Sequence, residues 1–388
     1  MANPLTQITP ILDLLGRELK ILPATGGAVE DLQRPDQEEI EDILVDAEAN
    51  TVTAFAETPK PDPKKLYRHT PPICRDKKLF RFFIDGSIRT YFLGTAIEGT
   101  RSFPIELAQV GAAVIERQQG GQLRIFKHEQ KVLLLLPKEN QGISDTLWSQ
   151  IHKIDIPEFF EIVDFTLSDR SSSDKLVDAK KDPRDKAGAK ARSKMHKLEI
   201  ELIKATDAAR NEDAWLILDG SVKFVEEDIW DLWENSKGPY VIGVAKSFRK
   251  DPMFYFGKRP SQRKDISTIL AGLPHEHRTV AFSTYDDKVA FWYVRLREQK
   301  EVDYPLMGVV KVEVPRPDKK PIPTELADLI SSALVAERNV TPYGLDRRWH
   351  ACLYPIYVAE QVIKSRFFSK EVLIGTIKWL KPPIGGSL

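Results

Sequence analysis

Cysteine is almost missing from this chain of 388 residues, which has only Cys74 and Cys352. Two thiols exclude a disulfide framework and a four-thiolate zinc site. Histidine is sparse as well: the seven residues are scattered, and neither HExxH nor CxxC occurs, which argues against a zinc hydrolase. Long hydrophobic runs are lacking. The longest, "VLLLLP" at 132–137, falls far short of the roughly 20 residues a membrane span requires. The N-terminus, "MANPLTQITPILDLLGRELK", shows no basic stretch followed by an apolar block, so no signal peptide and a cytoplasmic, membrane-free protein are expected. Net charge is missing too, with 57 basic and 57 acidic side chains. That excludes a protein that coats phosphates by bulk charge. It does not exclude a nucleic-acid enzyme, because totals hide distribution. What is present, 42% hydrophobic and 29% charged residues, suffices for a sizeable core.

Residues 1–77 read as a helical arm followed by a linker. Ile8, Ile11, Leu12, Leu14, Leu15 and Leu19 lie at helical spacing, which predicts an amphipathic helix. A second helix is expected within "RPDQEEIEDILVDAEANTVTAFAE". Ten carboxylates and one base, Arg34, lie between Glu30 and Glu57, forming either a solvated face or a docking surface for a basic partner. "TPKPDPKKLYRHTPPICRDKK", with five prolines, reads as an extended linker. From residue 78 to 388 the pattern is that of one α/β or α+β domain. "LFRFFIDGS" predicts a buried strand meeting a turn, with "IRTYFLGTAIEG" as its hairpin partner. "IELAQVGAAVIERQ" fits a helix or a strand, with its β-branched content and the following "QGGQ" turn favouring strand, and "KVLLLLP" adds a buried strand. A helical stretch with a basic insertion is expected over about 144–210. Between Lys175 and Lys197 it holds nine Lys or Arg against three Asp. Strands "AWLILDGSVKF", "YVIGVAKSF", "TVAFSTYDDKVAFWYVRL" and "GVVKVEVP" follow, then helices in "TELADLISSALVAE" and "PIYVAEQVIKSRF".

The most informative feature is a repeated pair, "FFIDGS" and "LILDGS". Asp85 and Asp219 each close an apolar strand and precede glycine. Sites in open α/β sheets lie just beyond strand ends. Two carboxylates brought together repel unless a cation or proton sits between them, and hard oxygens suit Mg²⁺ or Mn²⁺. No GxxxxGK[ST] is present, so the chain is not itself a P-loop ATPase. A third acid is expected upstream in "KMHKLEIELIKA". Met195, Leu198 and Leu202 mark the buried face of that helix, and Glu199 lies nearer to it than Glu201.

In order along residues 79–375, "FIDGSIR", the glutamate of "HKLEIEL", "LILDGSV", "VIGVAKSF", "FWYVRL", "VVKVEVP" and "YPIYVAEQVIKS" resemble the NurA nuclease family. That resemblance implies an α/β fold: an RNase H-like mixed sheet flanked by helices, here with an N-terminal helical extension. It implies Mn²⁺- or Mg²⁺-dependent DNA cleavage, both 5′-end exonuclease and single-strand endonuclease. It also implies a homodimer enclosing DNA and docked on a hexameric ATPase of the HerA type, in DNA end processing or phage defence. By position Asp85 would be the first-strand metal ligand, Glu199 the helical one and Asp219 the ligand on the neighbouring strand. The cations would activate a water and stabilise the leaving 3′-oxygen, and Lys246 would stabilise charge developing on the phosphate. The chain departs from the family at Glu360, where a histidine is usual. Glutamate can bind metal or accept a proton but does not replace imidazole, and His350 is the alternative. Asp286 and Asp287 are candidates for a remaining acid.

Basic segments are expected to grip DNA through phosphates: Lys190, Arg192 and Lys194, then Lys258, Arg259 and Arg263, then Arg347 and Arg348. Phe254, Tyr255, Phe256 and Trp349 beside them could stack bases or belong to the core. Two other readings stand beside the nuclease. One is a catalytically silent DNA clamp or assembly subunit, suggested by Glu360. The other is a haloacid dehalogenase-type phosphatase, disfavoured because Ser87 and Ser221 stand where its second aspartate is needed.

Overall fold

The computed structural model describes residues 4–24, 51–52, 54–73, 78–138, 142–166, 182–222, 240–248, 253–255, 263–283, 288–298, 300, 306–316, 319–341 and 350–380. Within them the protein is mixed α/β, with a thirteen-stranded mixed sheet flanked by helices. The principal strands are β1 (Lys20–Pro23), β2 (Phe80–Glu98), β3 (Arg101–Arg117), β4 (Leu123–Leu136), β5 (Phe160–Asp164), β6 (Trp215–Asp219), β7 (Val241–Ala245), β8 (Val289–Arg295) and β9 (Val309–Pro315). The principal helices are α1 (Thr9–Glu18), α2 (Pro183–Ala205), α3 (Thr324–Val335) and α4 (Tyr354–Arg366). Across the sheet the order runs β8-β9-β7-β6-β2-β3-β4-β5. On one side of β2, β3 and β4 form antiparallel ladders. On the other, β6 and then β7 run parallel to it.

The β2–β3 pair is where local signals are overruled. The Asp85-Gly86-Ser87 sequence predicts a turn, yet it lies inside a 19-residue strand. "IRTYFLGTAIEG" is therefore the second half of β2 and not its hairpin partner. The register with β3 runs without interruption from Phe82↔Glu116 to Phe92↔Glu106, so the tripeptide is held in the strand by its ladder with β3. β3 is buried along nearly its whole length because helices cover both faces, as its near-continuous apolar run demands. α2 packs on one face through Ala187, Ala191, Met195, Leu198 and Leu202, and α4 covers the other through Ile356, Ala359 and Ile363. Gly111 of β3 lets α4 come close, since a Cβ there would stand 2.8 Å from Ile363 Cγ2.

The expected basic helical insertion at 144–210 is corrected in two ways. A short helix, Asp145–Ile151, is followed by β5, and only then comes α2. α2 is also a core helix, capped by Asp182 with Pro183 in its first turn. Its basic residues ride on a helix that the sheet needs. The described parts of 1–77 are likewise built into the fold. α1 forms as its spacing predicts, and β1 extends the sheet by pairing with the distal end of β2. Of the second expected helix, residues 34–50 lie outside the described residues, and Thr51–Val52 and Ala54–Phe55 are strands. The proline-rich stretch is extended but anchored. Tyr67–His69 pairs with His277–Thr279, and the Glu57 carboxylate takes two hydrogen bonds from the fully buried Arg278 guanidinium. The described helices include none long and apolar enough to cross a membrane.

Candidate active site

β2 and β6 run side by side as far as Ile84↔Leu218, so Asp85 and Asp219 come next on adjacent parallel strands. Adjacent strands are about 4.8 Å apart, which brings the two carboxylates together on one face. β6 stops there and turns, whereas β2 continues for 13 more residues. Among the described residues no strand pairs with that side of β2 again until Gly94, which lies opposite Pro23 at the end of β1. The end of β6 thus leaves that edge of β2 unpaired just beyond Asp85 among the described residues.

Two side chains reach it from the face of Asp85. Lys246, one residue beyond β7, places its ammonium 2.7 Å from Asp219 Oδ2 and donates to Cys352 Sγ at 3.9 Å. Glu360 projects from α4, paired with Lys364 at 2.6 Å. Glu199 comes from α2. It is buried, whereas Glu201 is exposed, as the spacing of Met195, Leu198 and Leu202 predicts. Its Oε1 lies only 2.6 Å from where a Cβ on Gly86 would stand, and its Oε2 accepts a hydrogen bond from His196 Nδ1 at 2.7 Å. Side chains alternate along a strand, so Glu199 meets β2 from the face opposite Asp85.

The electrostatics follow from this crowding. Asp85 is held well above the usual carboxylate range, first by burial and then by repulsion from Asp219, with Glu360 and Glu199 adding to it and Lys246 opposing. Burial alone would lower Lys246, but attraction, chiefly from Asp219, outweighs it and raises the ammonium above its ordinary value. Cys352 is pushed up to about 11 by burial, against the pull of Lys246, so it is a thiol at neutral pH. The centre is a surplus of hard, acidic oxygen around one cationic side chain, which is chemistry that fits a divalent metal. Among the described residues, however, no three His, Cys, Asp or Glu side chains are gathered closely enough to form a ready-made ion cage. In this arrangement the Lys246 ammonium sits on Asp219, where a metal would have to compete.

Two residues here carry no sequence signal. Cys352 is brought in by the approach of α4. Glu313 of β9 is buried and accepts from Ser221 Oγ at 2.5 Å, Val222 N at 3.0 Å and Lys311 Nζ at 2.6 Å, which pins the turn after Asp219. Gly243 lets that turn lie against β7, since a Cβ there would stand 2.6 Å from Gly220 O.

The expected DNA-binding residues divide. Lys190 and Arg192 are half-buried on α2, and Lys194 is ion-paired with Glu161. Phe254 is buried in the core against Phe282 and is not available to stack a base. The side chains of Tyr255 and Arg263, and all of Phe256, Lys258, Arg259, Asp286, Asp287, Arg347, Arg348 and Trp349, lie outside the described residues. His350 is half-buried, two residues before Cys352. No protein-family model matches this chain, and no curated protein matches it.

Proposed function

We propose that this protein is a divalent-metal-dependent DNA nuclease with an RNase H-like core, acting with a hexameric ATPase of the HerA type. The observation that carries the reading is the side-by-side placement of Asp85 and Asp219 on neighbouring parallel strands, with Glu199 brought against Gly86. The order of elements supports it: three antiparallel strands and then, after a short helix and β5, a helix bearing the third acid and two parallel strands added beside the first. Asp85, Asp219 and Glu199 would hold Mn²⁺ or Mg²⁺, with Glu360 next to them. When bound, the metal would activate water and stabilise the leaving oxygen of a phosphodiester. Lys246 would move from Asp219 towards the phosphate, where its charge stabilises the transition state. The homodimer, the DNA contacts at Lys190 and Arg192, and an ATPase contact through the acidic N-terminal segment belong to the same proposal.

The test is cleavage of labelled single-stranded and duplex DNA in Mn²⁺, with and without the ATPase. Asp85→Ala and Asp219→Ala are each expected to lose about 10³-fold in rate, the scale of several kcal/mol of charge stabilisation. Wild-type rates in either variant contradict the assignment. One observation favours a second reading, a silent DNA clamp: the Lys246–Asp219 ion pair already neutralises one of the ligands. No cleavage under any divalent cation, together with intact ATPase binding, decides for the clamp.

A further inference from the structure

His196 belongs to none of the roles above, yet it makes the closest contact to Glu199. It lies three residues earlier on α2, on the same side of the helix, and is partly exposed, with 29% of its side chain accessible. Its Nδ1–H donates to Glu199 Oε2 at 2.7 Å. The other oxygen of the same carboxylate, Oε1, is the one set against Gly86, the residue next to Asp85. The two oxygens therefore have different tasks: one is tied back to the helix, and the other is presented to the strand.

Geometry argues against an ordinary surface pair. Such a pair on an exposed helix joins two mobile side chains and contributes only a few tenths of a kcal/mol. Here the carboxylate is 4% exposed and lodged between α2 and β2, where a glutamate with three rotatable bonds needs an outside partner to fix its direction. Resting on the metal-centre reading, we infer that His196 is a positioning residue: it orients Glu199 so that Oε1 is presented to β2 at Gly86, beside Asp85. It does not touch the metal or the substrate itself. Groups that orient a ligand in this way commonly change metal affinity by about 10- to 100-fold when removed.

The experiment is calorimetric titration of the full-length protein with Mn²⁺, in wild type, His196→Ala and His196→Asn, alongside DNA cleavage and thermal melting without metal. Asparagine keeps an N–H donor close to the position of Nδ1, whereas alanine keeps none. The expected result is a Kd for Mn²⁺ raised about tenfold or more in His196→Ala. His196→Asn is expected to stay within about threefold of wild type, a difference below 1 kcal/mol. Metal-free melting is expected to drop in His196→Ala, whose buried carboxylate loses its donor, so the affinities are compared well below each melting temperature, where the folded proteins differ in how Glu199 is held. Wild-type affinity in His196→Ala overturns the inference, as does an equal loss in both variants. Wild type that binds Mn²⁺ but cuts no DNA overturns the nuclease reading while leaving the positioning role to stand or fall on the affinities. Wild type that binds no Mn²⁺ overturns both.

Discussion

The chain uses Asp-Gly-Ser twice, and the two copies do different jobs with the same three residues. At 85–87 the tripeptide is part of an unbroken strand. Its glycine is needed for space, because Glu199 Oε1 and Met195 Sδ would lie 2.6 and 2.9 Å from a Cβ. At 219–221 the strand ends. Gly220 has open space around its missing Cβ and is needed for its backbone, at φ +117. The aspartates differ as well: Asp219 has a lysine at 2.7 Å, whereas Asp85 is surrounded mainly by other acids. The serines part in the same way, since Ser221 donates to the buried Glu313 while Ser87 has no side-chain hydrogen bond among the described residues. A motif that repeats in sequence thus supplies one rigid floor and one pinned turn to a single centre.

Several variants would break or sharpen this contrast, and the largest effect concerns burial itself. Glu106 is fully buried on β3, away from both tripeptides, and its carboxyl is pushed up to about 8 by burial despite the pull of Arg184. The folded state therefore holds a proton that the unfolded chain, near 4.5, gives up. Stability is expected to be full below about pH 4.5 and to fall towards pH 8 by up to about 1.4 kcal/mol per unit. Glu106→Gln should flatten that slope in pH-dependent denaturation. A slope unchanged by the substitution would mean that burial does not explain raised acids in this sheet, Asp85 included.

Lys246→Met comes next. Leaving Asp219 without its partner should lower stability by about 3 kcal/mol, and Lys246→Met/Asp219→Asn should recover most of the loss in urea denaturation. Ser221→Ala is expected to cost about 2 kcal/mol, as for a hydrogen bond to a charged group, while Ser87→Ala should cost clearly less. The glycines give the smallest changes and the sharpest distinction. Gly86→Ala and Gly220→Ala should each cost about 1–2 kcal/mol, for crowding and for backbone strain respectively. Truncating Glu199 to alanine should relieve part of the first, with Met195 Sδ still in place, and leave the second untouched. Equal relief at both positions would erase the difference between the copies.

Much of the second half of the chain was legible in its sequence. β6, β7, β8, β9, α3 and α4 fall where period and turn chemistry put them, and the choice of Glu199 over Glu201 followed from three apolar neighbours at helical spacing. The first half was harder to read because long-range pairing decides it. The turn signal at Asp85-Gly86 yields to a ladder with β3 that no local window contains. The proline-rich stretch joins the sheet because Tyr67–His69 pairs with His277–Thr279, more than two hundred residues away. Cys352 and Glu313 reach the centre by tertiary approach alone, and neither has a spacing that points there.

The central claim is that both tripeptides serve one centre, and double-variant kinetics tests it most directly. Rates of Mn²⁺-dependent DNA cleavage should be measured for Asp85→Asn, Asp219→Asn and the two combined. Residues that act as a unit lose activity together, so each single variant should fall by about 10³-fold and the double variant little further. Losses that multiply in the double variant, or a single variant that cuts like wild type, would show that the two aspartates do not share a site.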